Sequence, residues 1–429
     1  MKKKYRIILY TSIFLLCVVA SIILVVKKSN SVYEEESKPK VVKHKSMLSM
    51  NLEQTAGSGD YKTVTQSSWP TEGYKFNAEL SRCENGSTLS WDDTKKAVIV
   101  SGNLSDKCYV YFDIYQPTLA EYIKSQYTGT QGENSIYYHN SSLENGAGDN
   151  SYRYAGANPN NFVCFGSDAS PCPIDNLYRI IGVFGENYHG ANGKQLVKLI
   201  KYDYMTTDEL GTDGDYSQTY KEWGMDSTYK GTYGDGERIG VYYWNYKATG
   251  SATNTWSTSL LNKTNLNTNF INNIGTTWAN KIATVTWKVG GNTWANIGTK
   301  TSSVAYTNEI TNPVTTNTTD NATTYSAKIG LMYVSDYGFA ASPDAWTLTM
   351  SSYNNTTATN NNWMYMGLYE WTISRDADYS DIAFDVYDDG SVNDNYVDNN
   401  YGVRASFNLE SSVSYVSGSG SMSDPIVIN

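Results

Sequence analysis

The sequence predicts an α+β protein held at a membrane: an N-terminal transmembrane helix, a small disulfide-linked β unit and one large α+β domain. Three observations carry this. A basic-flanked apolar run opens the chain, four cysteines follow it in two sequence-local pairs, and period-2 aromatic strands are interrupted by stretches of helical spacing. Aromatics reach 14% and charged residues only 18% of the 429 residues, the reverse of a disordered chain. The net charge of −10 excludes nucleic-acid binding by phosphate neutralisation, which needs a basic face.

The elements follow in order. Lys2, Lys3, Lys4 and Arg6 precede an uncharged apolar run from Ile7 to Val26, and Lys27 and Lys28 close it. About 20 residues make about 30 Å of helix, the thickness of a bilayer core. No small-residue cleavage site follows, so the run reads as a signal-anchor rather than a cleaved signal. Four basic residues before it and two after it keep the N-terminus in the cytoplasm, which makes a single-pass cell-membrane protein with its C-terminal ectodomain outside. Cys17 lies within the run as an apolar thiol.

Residues 1–28 are therefore cytoplasmic stub and anchor, and the mixed charges of 29–60 read as a stalk. Residues 61–115 read as the small β unit. Tyr74, Phe76, Ala78 and Leu80 alternate along a first strand, Leu89 and Trp91 mark a second, Ala97–Val100 a third and Tyr109–Ile114 a fourth, with Asp92-Asp93 as a turn. Residues 116–149 supply a helix opened by Pro117, then a polar linker. The large domain is assigned 150–429. LYRIIGVF at 177–184 and QLVKLIKY at 195–202 predict a hairpin, and Leu266, Phe270 and Ile274 a helix over 257–274. Strands are expected near 283–289 and 328–334, and a loop at 311–323. An even number of exported cysteines implies two disulfides with three pairings. The local pairing Cys83–Cys108 and Cys164–Cys172 keeps each bridge inside one unit.

An ordered series of stretches carries a resemblance: YRYAGANPNNFVCFG at 152–166, NLYRIIGVFG at 176–185, SAKIGLMYVSDYGFAASP at 326–343, EWTISR at 370–375 and GVRASFNL at 402–409. The small unit adds CENGSTLSWD and DKCYVYFD. Together they resemble a module of Gram-positive bacterial surface proteins. That module is similar to the C-type-lectin-like fold shared with formylglycine-generating (sulfatase-modifying-factor) enzymes. The resemblance implies a C-type-lectin-like domain over 150–429, with Glu370-Trp371-Thr372 as its signature and Gly402-Val403-Arg404 as its final strand. The chain departs from the module's pattern at Val403, Ala405 and Ser406. Enzymes of the formylglycine type use late cysteines, and this chain has none after Cys172.

For function, the sequence favours non-enzymatic recognition or adhesion through the segment 354–402. Trp363, Tyr365, Tyr379, Tyr387, Tyr396, Asn399 and Tyr401 are its candidate ligand contacts, because Tyr and Trp give rigid contact area and Asn gives adaptable hydrogen bonds. A glycan or protein is the ligand such a composition suits. Half-buried strand aromatics account for the same composition without a ligand. Asp376, Asp378 and Asp381 are the candidate metal ligands, with calcium the ion that an oxygen-only set takes and no cofactor otherwise required. Glu370, Arg404 and Trp371 read as structural, the first two as a bidentate ion pair. A catalytic triad would need His139 or His189, both placed in polar turns. A structural envelope component and a surface hydrolase or modifying enzyme stand as the alternatives.

Overall fold

The computed structural model describes residues 48–429, apart from 66–67, 71–72, 186–188, 190–192, 214–220, 225–228, 233–237, 248 and 312–321. The predicted anchor at 1–28 lies outside the described residues, and so does most of the loop predicted at 311–323. Among the described residues no helix is long and apolar enough to cross a membrane. Among the described residues the fold is mixed α+β with sheet predominating, 32% strand against 21% helix. It divides at Gln116/Pro117 into two compact units.

The first unit contains β1 (Leu48–Glu53), β2 (Tyr61–Val64), β3 (Tyr74–Phe76), β4 (Arg82–Cys83), β5 (Thr88–Asp92), β6 (Ala97–Ser101) and β7 (Cys108–Ile114). The sheet order is β2-β1-β7-β3, with β4 also on β7 and β5-β6 a separate hairpin. β1 corrects the stalk boundary: a segment predicted as linker is a strand, running parallel to β7 from Leu48 opposite Cys108. Met50 and Leu52 face Val110 and Phe112 in the core, and the buried Glu53 accepts the Ile114 N–H at 2.9 Å. The first predicted strand is shorter than expected, because Asn77 turns the chain by accepting the Glu79 and Leu80 N–H groups. Asp92 makes the predicted turn, accepting from Thr94 and Lys95. Cys83 and Cys108 are bonded.

The second unit opens with a helix, Leu119–Ser125, capped reciprocally by Thr118 and Glu121. Its strands are β8 (Ile136–Tyr138), β9 (Tyr152–Tyr154), β10 (Phe162–Cys164), β11 (Leu177–Phe184), β12 (Leu196–Lys201), β13 (Lys221–Gly224), β14 (Arg238–Tyr242), β15 (Val285–Lys288), β16 (Gly291–Asn292), β17 (Thr324–Ala327), β18 (Ile329–Gly330), β19 (Glu370–Asp376), β20 (Ile382–Val386), β21 (Val392–Tyr396), β22 (Tyr401–Gly402), β23 (Ser406–Asn408), β24 (Tyr415–Ser417) and β25 (Val427–Ile428). One sheet runs β18-β23-β12-β11-β9-β8 with β10 on β11. The other runs β13-β14-β22-β19-β20-β21 with β16 on β19. β11 and β12 form the predicted antiparallel hairpin and are buried along their whole length.

Three expectations change here. The polar stretch at 116–149 belongs to the second unit, because β8 pairs with β9 at the edge of its first sheet. The strand expected at 328–334 ends at Gly330, and Val334–Ala340 is helical. The helix at 257–274 is largely π-helical over Leu261–Phe270, with Leu266 and Phe270 in the core. Cys164 and Cys172 form the second disulfide.

Candidate functional site

The second sheet brings an aromatic layer to one end of β19. Glu370 lies opposite both Val386 and Gly402. This register gathers Tyr369, Tyr387 and Tyr401, each just outside or at the start of a strand. Tyr369 stacks on Tyr401 at 5.1 Å and tilts against Tyr387 at 4.8 Å, and Tyr401 reaches Trp371 at 4.6 Å. The three tyrosines are half-buried, so their inner faces are packed and their outer edges meet solvent. Gly402 permits the close approach: a Cβ there would lie 2.7 Å from the Tyr204 ring and 3.2 Å from the Tyr369 carbonyl.

Amides surround this layer. Asn395 donates to the Tyr387 hydroxyl at 3.1 Å and to Asp385 at 3.1 Å. Asn399 donates to the Tyr401 hydroxyl at 3.2 Å. Burial pushes the Asp385 carboxyl well above the usual carboxylate range, against the opposing Asn395 bond, and the nearby Asp394 adds to the rise. The patch therefore offers flat rings, phenol hydroxyls and amides, which is the chemistry of neutral polar recognition.

The predicted contact residues divide. Tyr387, Asn399 and Tyr401 lie in this patch. Tyr379 and Tyr396 are exposed, at 59% and 58%, near the other end of the β19–β20–β21 meander. Trp363 and Tyr365 are not surface contacts, with exposures of 4% and 8%. Trp363 donates to the Tyr154 carbonyl at 2.9 Å and carries the Arg179 guanidinium 4.7 Å over its ring. Tyr365 bonds the Asp388 carbonyl. Their segment is pulled inside because an indole or phenol with one satisfied polar atom fills a core as well as it decorates a surface.

Asp376 does not join Asp378 and Asp381 in a metal cluster. It is buried, and its Oδ1 accepts the Asp378 and Tyr379 N–H groups at 2.6 and 2.9 Å, closing the turn after β19. Burial raises its pKa to about 6. Among the described residues no group of three or more His, Cys, Asp or Glu side chains is arranged to hold a metal.

Glu370 and Arg404 pair as predicted, through Nε–Oε1 at 2.8 Å and Nη2–Oε2 at 2.9 Å, both buried. Arg404 also donates to the Met364 carbonyl at 2.6 Å. Trp371 is wholly buried and donates to the Tyr242 carbonyl at 2.8 Å.

Neither histidine is a solvated turn residue. His139 is enclosed by Phe339 and Trp346, and its Nδ1 accepts the Ala147 N–H at 3.0 Å. His189 packs 4.0 Å from Phe184 and stands 4.0 Å from Asp149. Burial lowers both pKa values, that of His189 to about 3. No serine hydroxyl bonds either ring among the described residues, which is the contact a triad requires.

His189 borders a buried charge network that the sequence reading missed. Lys198 meets Asp336 at 2.5 Å, Arg153 meets Asp149 at 2.8 Å, and Tyr306 donates to Asp149 at 2.6 Å. Arg153 keeps Asp149 far below the usual carboxylate range in spite of burial. Glu309 accepts the Val334 and Ser335 N–H groups at the start of the 334–340 helix. The signal was present as a lysine inside the apolar run LVKLIK. A strand covered on both faces gives such a lysine no path to water, so it must be paired.

No protein-family model matches this chain, and no curated protein or solved structure is found similar to it.

Proposed function

We propose that this is a membrane-anchored extracellular recognition protein, non-enzymatic, whose large unit has a C-type-lectin-like fold and binds a glycan ligand through the 354–402 segment. The half-buried layer of Tyr369, Tyr387 and Tyr401, fringed by Asn395 and Asn399, carries the reading. Sugar rings present C–H faces that pack on aromatic rings and hydroxyls that bond amides, and this patch offers both without a fixed surface cation. The fold assignment is supported by the Glu370–Arg404 pair, which ties the Glu-Trp-Thr segment to the Gly-Val-Arg segment.

The test is a glycan array probed with the purified, oxidised ectodomain, beginning before Leu48 because that residue starts a strand. Saturable binding to one sugar class, lost in Tyr401→Ala and Tyr387→Ala at unchanged melting temperature, is the expected result. Binding of protein but not of glycans would replace the ligand class. Binding of neither would favour a structural envelope role.

A further inference from the structure

A second site lies away from the tyrosine layer, in a cleft of about 220 Å³ within the large unit. Its walls include Tyr122 and Gln126 of the opening helix, Asn134, Asn160 and Ser419, and its floor includes Tyr154. Three features distinguish it from an ordinary surface furrow.

The first is Tyr154. Only 4% of it is exposed, its backbone is fixed opposite Ile136, and its carbonyl receives the Trp363 indole. Its hydroxyl has no hydrogen-bond partner among the described residues, and the residue lines the cleft. The ring is buried while the hydroxyl is not one of the enclosed polar atoms, so the hydroxyl stays accessible and open to bonding by an occupant of the cleft.

The second is the rigidity of the walls. Tyr122 lies flat on Tyr415, with centroids 3.6 Å apart and planes 7° from parallel. The Asn134 amide donates to the Gln126 carbonyl at 2.8 Å, joining the helix end to the facing turn. Asn134 and Ser135 hold φ of 55° and 59°, two consecutive non-glycine residues in the left-handed region. Such strain persists where surrounding structure imposes a shape. Across the cleft, Gly420 sits where a Cβ would lie 2.5 Å from the Asn160 carbonyl, which brings Ser419 against the 158–160 loop.

The third is the chemistry. The lining has phenols, amides and serine hydroxyls and no ionised side chain. The Asp424 carboxylate behind Ser419 is committed to its N–H at 2.8 Å. A charged ligand would lose hydration here without an opposite charge to offset it. A neutral one rich in hydroxyls loses only hydrogen bonds that the walls return. The twelve non-hydrogen atoms of a hexose, at roughly 15 Å³ each when closely packed, fill about 180 Å³.

We propose that this cleft binds one uncharged, hexose-sized sugar residue, with its ring against Tyr122 and its hydroxyls bonded by Tyr154, Gln126 and Asn160. The site is argued independently of the tyrosine layer and stands or falls apart from it.

The experiment is saturation-transfer NMR and calorimetric titration of the full chain with neutral methyl hexosides and N-acetylhexosaminides, using the corresponding uronic acids and free amino sugars as charged comparators. The expected result is saturable millimolar binding of at least one neutral sugar and weaker binding of every charged comparator. Tyr154→Phe removes one oxygen from the floor and should weaken binding about fivefold, the factor for one hydrogen bond. Asn160→Ala, at an exposed position, should weaken it similarly, and both losses should persist in a Tyr401→Ala background, where the tyrosine layer no longer contributes. No saturable binding of any neutral sugar would overturn the proposal, as would affinity untouched by both cleft variants. Binding lost in Tyr401→Ala but kept in the cleft variants would also overturn it, while supporting the tyrosine layer as the glycan site.

Discussion

Replacing Glu370 by alanine should damage the large unit more than most single changes, for a reason visible in the pair itself. Arg404 is fully buried, and two of its nitrogens face Glu370 oxygens at 2.8 and 2.9 Å. After the change the guanidinium keeps the Met364 carbonyl and a long contact of 3.5 Å to the Tyr202 carbonyl, but no counter-charge in the pair. Leaving one partner of a buried pair uncompensated costs about 3–5 kcal/mol. The unit has roughly 310 residues, and at about 2.1 cal/mol/K of unfolding entropy per residue this lowers the melting temperature by about 5–8 °C. Glu370→Gln keeps the shape and one acceptor, so its loss should be smaller. Glu370→Leu combined with Arg404→Met removes both charges but strands two carbonyls, at about 1–3 kcal/mol each. Scanning calorimetry of Glu370→Leu, Arg404→Met and the double variant completes a cycle, with an expected coupling of about 2 kcal/mol or more. A drop below about 2 °C for Glu370→Ala, or costs that simply add, would refute the account of a desolvated pair.

Opening the Cys83–Cys108 bridge by Ser substitution should cost the small unit about 3.5 kcal/mol, against about 2.5 kcal/mol for Cys164–Cys172 in the large one, from separations of 25 and 8 residues; denaturant melts that rank the two the other way would refute the loop-entropy argument. Burial holds His139 and His189 neutral, so their contribution to stability is fully present above pH 6.5, where the unfolded imidazole is also neutral, and is lost as pH falls below it, for His189 down to about 3. Their ring NMR signals should stay flat from pH 8 to pH 5, and a folded-state midpoint near 6.5 for either would contradict the buried placement. Asp376 has the opposite sign: its pKa is raised to about 6, so folding is penalised above that pH and relieved as pH falls through it. Asp376→Asn should therefore raise the melting temperature at pH 8, with the gain shrinking below pH 6 and closing only near pH 4, the ordinary Asp value. Millimolar calcium that stabilises the parent chain but not this variant would place an ion at the turn, and equal melting with and without calcium would remove that ion from consideration.

What the sequence made legible was local. The hairpin at 177–201 announced itself through two apolar runs, and the helix at 119–125 through a preceding proline. The disulfides followed from proximity in the chain, and the Glu370–Arg404 pair from the resemblance and the residue types. The failures were non-local. β1 pairs with a strand some sixty residues on, and nothing in LSMNLE reveals a partner at that distance. β8 and β9 are three residues each, too short for alternation to register above a Gly- and Asn-rich background. Arg153 and Lys198 are interior because their strands are covered on both sides, and residue type alone gives no sign of it. In the 354–402 segment, composition did not separate Trp363 and Tyr365, which fill the core, from Tyr387 and Tyr401, which edge the surface.

The parallel pairing of β1 with β7 has a mechanical consequence. Chain enters the small unit at the start of β1 and leaves it at the end of β7, and the two strands point the same way. Tension between those two points drags β1 backward by its head and β7 forward by its tail. The hydrogen bonds joining Leu48–Leu52 to Cys108–Phe112 are then loaded together, in shear, rather than peeled one after another from an end. The Cys83–Cys108 bridge further removes the intervening segment from the length that a pull can extract. A pull applied at those two points would thus meet a clamp, yielding abruptly at a threshold force instead of stretching in proportion to the load.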